Sequence, residues 1–171
     1  LPSCWQEADG GNAISGPVSF GTGAWSADGF ANAGTTGAFK VNIDYLNDNG
    51  WVISPVVSIP TTGYELKFDA AATQWGATTA PTTPWEADDK VEVLVSTSGM
   101  TNWTVLATFD AANLPSNTGT NYIIDLDAYA AQDVRFAFRG VEGIVDGGAD
   151  IDFSFDNFNV RLTPATAPAC A

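Results

Sequence analysis

The chain has 171 residues, 45% apolar and 12% aromatic, which is enough to bury one core and too apolar for a disordered segment. Twenty acidic side chains against six basic ones leave a net charge of −14, which repels phosphate backbones and anionic lipid and so argues against nucleic acid and membrane surfaces as partners. No apolar run approaches the roughly 20 residues of a membrane-spanning helix. The surplus of carboxylates favours a neutral ligand, or a hard cation such as Ca2+.

Cys4 stands near one end and Cys170 near the other. Their positions suggest one disulfide tying the first strand to the tail; a reduced pair, or a Cys170 that belongs to a following module, is the alternative. A bridge would put the chain in an oxidising compartment, secreted or on a cell surface, and Trp5 beside Cys4 reads as packing on it. From there almost every periodic segment has period two, and no apolar stripe keeps a 3.6 period for three turns. Residues 37–46 (GAFKVNIDYL), 51–59 (WVISPVVSI), 64–70 (YELKFDA), 90–99 (KVEVLVSTSG), 103–109 (WTVLATF), 121–126 (NYIIDL), 133–140 (DVRFAFRG) and 150–162 (DIDFSFDNFNVRL) are predicted strands. Strands at this spacing without helices predict an all-β fold, a two-sheet antiparallel sandwich of the jelly-roll type. One domain covers 1–163, and the Pro/Ala/Thr run at 164–171 reads as the start of a linker in a longer exported protein.

Alternation assigns faces. In 133–140, Val134, Phe136 and Phe138 share one side while Arg135 and Arg139 share the other, and Arg139 is expected to pair with a carboxylate. The last strand changes phase: Ile151, Phe153 and Phe155 alternate, then Phe158, Val160 and Leu162 do so with the opposite parity. One extra residue must be absorbed at Asp156-Asn157, which predicts a β-bulge. Such a bulge makes Asp156 either a re-aimed functional carboxylate or a cap on local N–H groups.

There is no histidine, so neither a Ser-His-Asp nor a Cys-His centre can be assembled. The two cysteines lack C-x-x-C spacing and no phosphate-binding Gly-rich run is present. Paired carboxylates can hydrolyse glycosides, but twenty acids supply some pair at a suitable distance by chance. The chain therefore reads as a non-catalytic module. Two acidic turns, Asp44-Asn47-Asp48-Asn49 and Asp146-Asp150-Asp152, suit structural calcium or are ordinary tight turns; neither has EF-hand spacing.

The tryptophans divide. Trp51 and Trp103 open strands and read as core. Trp25, Trp75 and Trp85 lie in Gly/Ala/Ser/Thr/Pro stretches, the last two in AATQWGATTAPTTPWEADDK (71–90), which is long for a connection inside a compact domain. Aromatic faces flanked by carboxamides and carboxylates suit sugar rings, so Trp75, Trp85 and Trp25, with Gln74 and Asp88, form the candidate ligand set and neutral carbohydrate the candidate partner. The alternative is a loop that folds its own rings over a sheet end.

The ordered motifs WVISPVVSI, LKFDA, VEVLVSTSG, DLDAYAAQDVRFAFRG and DFSFDNFNV, across residues 37–162, make the chain similar to the MAM-like jelly rolls of secreted bacterial proteins. These include cleaved adhesin domains of the gingipain type and the choice-of-anchor J domain. The sequence departs from that pattern at Ala131, where glycine is usual, and at Phe155, where isoleucine is. The resemblance implies a two-sheet jelly roll, neighbouring domains in the same chain, and a structural Ca2+ whose ligands map to Glu7, Asp48 and Asp156. It implies functions from adhesion to accessory binding in polysaccharide-degrading enzymes. The expectation is a carbohydrate-binding module acting through loop tryptophans, with an adhesin or spacer contacting proteins or cell surfaces as the alternative.

Overall fold

A computed structural model describes residues 2–44, 49–145 and 147–164. Among the described residues, twelve strands run in chain order: β1 (Gln6–Asp9), β2 (Ser19–Phe20), β3 (Ser26–Gly29), β4 (Gly37–Ile43), β5 (Gly50–Ile53), β6 (Val57–Ile59), β7 (Tyr64–Gln74), β8 (Lys90–Ser96), β9 (Thr104–Phe109), β10 (Thr120–Asp125), β11 (Gln132–Val141) and β12 (Ile151–Leu162). They form two antiparallel sheets, one ordered β2-β1-β5-β11-β8-β9 with β6 also on β11, the other β10-β7-β12-β4-β3. This is the predicted sandwich.

All eight predicted strands are present. The run 51–59 is interrupted, because Pro55 lacks the N–H that a central ladder requires. Ser54 manages the gap: its N–H donates to the Phe136 carbonyl at 2.9 Å and its hydroxyl accepts the Phe136 N–H at 2.9 Å. β5 and β6 thus both remain on β11. Three short strands escaped the pattern, β1 (QEAD), β2 (SF) and β3 (SADG); they sit at or near sheet edges, where one buried side chain such as Ala8 suffices and no alternation develops.

The phase break in β12 is a bulge. Asp156 faces Asp69 on β7, the next paired residue is Asn159, and Asn157 has φ 54°. Asn157 takes the left-handed region that asparagine tolerates, and the break turns Phe158 inward onto Phe136 at 5.7 Å between ring centroids. At Ala131 φ is 60°, which accounts for the glycine that the resembled pattern has there.

Between the sheets, the core is largely aromatic. Phe138 and Phe155 from opposite sheets stack with centroids 3.7 Å apart, and Phe68, Phe109 and Phe153 surround them. A second apolar cluster lies on the outer face of the larger sheet, where Trp51, Ile53, Leu94 and Ala137 are roofed by Trp103, Ala13 and Met100. Trp51 and Trp103 are core, as their strand positions predict. Arg139 lies over the Trp51 ring at 5.3 Å and pairs with Glu92 at 2.9 Å, which is the expected carboxylate partner.

Candidate functional site

Two connections cross between the sheets at the same end of the sandwich. Residues 75–89 join β7 to β8, and 142–150 join β11 to β12; Ile151 pairs with Gln74, and Val141 with Lys90. β7 extends to Gln74, so AATQ is strand and the long loop begins at Trp75. This rim carries most of the residues that the sequence singles out.

Trp75 is 62% exposed on a fixed base. Its N–H donates to the Asp150 carbonyl at 3.0 Å, and the next N–H, of Gly76, donates to Asp152 Oδ2 at 2.9 Å. Gln74 is spent on the same base: Nε2 donates to the Asp150 carbonyl at 3.0 Å, while Oε1 accepts from the N–H and the hydroxyl of Thr82. Beneath them Asn32 Nδ2 donates to Thr73 Oγ1, Ala77 O and Asp152 Oδ2 within 2.9 Å, and Lys40 donates to Asn32 Oδ1 and pairs with Asp28. The Trp75 ring is therefore a large apolar face held in solvent by a backbone that its neighbours have made rigid.

Trp85 and Trp25 are each 2% exposed and correct the expectation of a three-tryptophan platform. Trp85 lies nearly parallel to Phe153 with centroids 6.4 Å apart, and Trp25 meets Phe138, Phe153 and Phe155 edge-on while its Nε1–H donates to the Gly50 carbonyl at 3.0 Å. Burial of so large a ring repays ordering of the loop that carries it. The Ala/Thr/Pro flanks of Trp75 and Trp85 do not distinguish the two rings. No local signal separates the lid from the exposed face.

The acids after Trp85 hold the facing loop. Asp88 Oδ2 accepts from the Ile144 N–H at 2.8 Å and the Val145 N–H at 3.2 Å, Asp89 Oδ1 from the Gly143 N–H at 3.0 Å, and Glu86 Oε1 from the Ala149 N–H at 3.3 Å. A Cβ at Gly143 would lie 2.1 Å from the Asp88 carboxylate, and one at Gly147 2.1 Å from Glu86 Oε1. Asp88, expected to meet a ligand hydroxyl, instead ties 142–150 to 75–89.

That latch titrates. Burial, together with a hydrogen bond to the Glu86 carboxyl, pushes Asp89 up to about 6, against the pull of the Gly143 N–H. A raised carboxyl contributes stability that is complete below its unfolded value, near 3.8, and is lost as pH rises through about 6. The Lys40 hydrogen bond lowers Asp28, the Asn121 hydrogen bond lowers Asp69 and the Ile144 N–H lowers Asp88, so those three contribute stability that is lost on acidification below the ordinary carboxylate range. The melting temperature is expected to peak at about pH 4 and to decline toward about pH 6. Asp89→Asn should flatten the decline on the neutral side in thermal melts; an unchanged decline would remove Asp89 as its source.

The two described members of the expected calcium set do not converge. Glu7 shares the inward parity of its pairing partner Val52, whereas Asp156 lies outward opposite Asp69 and its Oδ1 accepts the N–H of Asn157 at 2.6 Å, the capping role. Among the described residues no group of three His, Cys, Asp or Glu is placed to hold a metal. Asp48 lies outside the described residues, as does Cys170; Cys4 is exposed.

No protein-family model and no curated protein matches the chain significantly. Solved structures do resemble it in fold. The K1 cleaved adhesin domain of Lys-gingipain from Porphyromonas gingivalis W83 superposes with a TM-score of 0.61 at 16% identity, over 95% of this chain and 92% of that one. The K3 cleaved adhesin domain of the same protein gives 0.54 at 15% identity, over 94% and 92%. The TmCBM61 module, solved in complex with β-1,4-galactotriose, gives 0.53 at 14% identity, over 94% and 89%. At these identities the likeness concerns the fold: the chain is a two-sheet β-sandwich similar to adhesin and carbohydrate-binding modules.

Proposed function

We propose that this chain is a non-catalytic binding module of an exported multidomain protein and that it takes neutral carbohydrate at the rim, with Trp75 as the stacking face. The observation that carries the reading is the Trp75 ring, 62% exposed on a hydrogen-bonded base, because a protein that only plugged its rim would turn this ring inward as it does Trp85. The net charge of −14 favours an uncharged ligand. Structurally similar modules include one solved with a galactotriose. The binding contribution is apolar stacking plus hydrogen bonds from ligand hydroxyls to the rim backbone. Its use to the parent protein would be to raise the local concentration of a tethered neighbour on its substrate.

Affinity electrophoresis through neutral polysaccharides tests this. Retardation by at least one of them is expected, and Trp75→Ala should weaken it about tenfold, or ~1.4 kcal/mol, while leaving the fold intact. Equal retardation of the variant would rule out Trp75 as the platform.

A protein-facing reading has one observation in its favour. Ile144 and Val145, 75% and 54% exposed, are presented at the tip of the loop that Asp88 holds. Absence of retardation in every neutral polysaccharide, with loss of cell-surface adhesion in an Ile144→Ser/Val145→Ser variant, would favour that reading.

A further inference from the structure

We propose that Lys40 and Asn32 join in an intramolecular amide, the Lys40 amine displacing the Asn32 side-chain nitrogen as ammonia in a self-catalysed step served by Asp28 and Asp152. The fold brings the four groups together from β3, the turn Phe30–Asn32, β4 and β12. Lys40 and Asp152 alternate with the core residues Val41 and Phe153, so both lie on the outer face of the smaller sheet, in the β4/β12 ladder that pairs Lys40 with Ser154 and Asn42 with Asp152. The turn lies on that face. Its Ala31 N–H donates to the buried Ser154 Oγ at 3.0 Å, which sets Asn32 between the amine and the carboxylate. Lys40 Nζ donates to Asn32 Oδ1 at 3.2 Å, and Asn32 Nδ2 donates to Asp152 Oδ2 at 2.8 Å.

Nucleophile, acceptor and proton carriers are therefore within reach of one another, which is what an otherwise inert amide needs in order to react. The carbon under attack lies about 1.2 Å from the oxygen that Lys40 already touches. Asp28 pairs with the same Nζ, and the Lys40 hydrogen bond, followed by that of the Gly29 N–H, holds it below the usual carboxylate range, so it is ready to take the proton that frees the amine lone pair. Asp152 Oδ2 is 3.8 Å from Nζ as well as 2.8 Å from Nδ2, and so faces both the nitrogen that enters and the one that leaves. Asn42 Nδ2 and the Gly76 N–H fix this carboxylate, whose side chain is 2% exposed. The Nζ–Cγ bond forms and the Cγ–Nδ2 bond breaks; Asp152 passes a second proton from Nζ to Nδ2, and the ammonia takes the proton held by Asp28 and departs as ammonium. Charge is conserved and no co-reactant is required. The surroundings of the leaving nitrogen fit that departure. A carboxamide nitrogen has two hydrogens, yet Thr73 Oγ1, Ala77 O and Asp152 Oδ2 stand within 2.9 Å of Nδ2 and the Gln74 carbonyl at 3.4 Å. Those acceptors over-supply an amide and match an ammonium ion.

Intact-mass spectrometry of the folded chain tests the step independently of any ligand. The chain is expected to weigh one ammonia less than its sequence, and chymotrypsin, which can cut after Phe39, should leave the peptide of Asn32 joined to that of Lys40. Lys40→Arg keeps a cation beside Asp28 and should restore the full sequence mass. Asp152→Asn, with its fold checked by circular dichroism, should lose the ammonia far more slowly than the parent. A parent chain at full sequence mass, both as purified and after a week of incubation below its melting temperature, overturns the proposal. So does a loss of ammonia that persists in Lys40→Arg, which would place it at another amide, or a loss of water in place of ammonia, which would make a carboxylate the acceptor.

Discussion

Trp85→Ala is expected to destabilise the fold by about 3–5 kcal/mol, the range for removing a large buried aromatic and leaving a cavity. The ring is 2% exposed, lies along Phe153 between the sheets, and closes the end of the core where two connections cross. Its loss opens a hole bounded by a strand and a loop, and the proline-restricted 81–84 segment offers limited means of collapsing into it. Urea unfolding followed by circular dichroism should show a large drop in midpoint at little-changed m-value. Trp75→Ala, in the same loop, should stay within about 0.5 kcal/mol of the parent, as exposed substitutions do. Equal effects from the two variants would contradict the division of the loop into a lid and an exposed face.

Arg139→Ala is expected to cost about 3 kcal/mol, because removing one partner leaves a buried charge uncompensated. The guanidinium donates Nη1–H to Glu92 Oε2 at 2.9 Å and Nε–H to Asn49 Oδ1 at 2.6 Å, and it covers the Trp51 ring. Side-chain exposures of 10% and 8% put the Arg139–Glu92 pair in the range where screening is weak. Lys90 lies 2.7 Å from the other Glu92 oxygen and limits the loss, since the carboxylate keeps one cation. Replacing both, Arg139→Met with Glu92→Met, should recover most of the stability, because two apolar side chains of similar length need no partner. Denaturant midpoints of the two single variants and the double variant form the cycle. An additive double variant would mean that the pair is not coupled.

Sequence and structure agree best where a side-chain period is imposed by burial. β7, β8, β11 and β12 are buried on the inner face and read directly as alternation, and the phase change at Asp156-Asn157 marks its bulge because burial demands that Phe158 return to the core. β1, β2 and β3 carry no such constraint and were not legible. The site was legible only in part. The rim loop and its acids are evident in the sequence, but which ring is buried depends on the sheet beneath it, and which carboxylate is spent depends on N–H groups of a loop 54–57 residues downstream. Trp75 is exposed, as the proposed ligand contact requires, whereas Trp85 and Trp25 lie in the core and Asp88 binds the Ile144 and Val145 backbone.

The proposed carbohydrate contact of Trp75 is tested by titrating the six tryptophan indole N–H signals with neutral oligosaccharides. The Trp75 signal is expected to shift with saturation, while the Trp25 and Trp85 signals, from rings 2% exposed, stay in place. A Trp75 signal unmoved by every oligosaccharide would contradict carbohydrate binding at this ring.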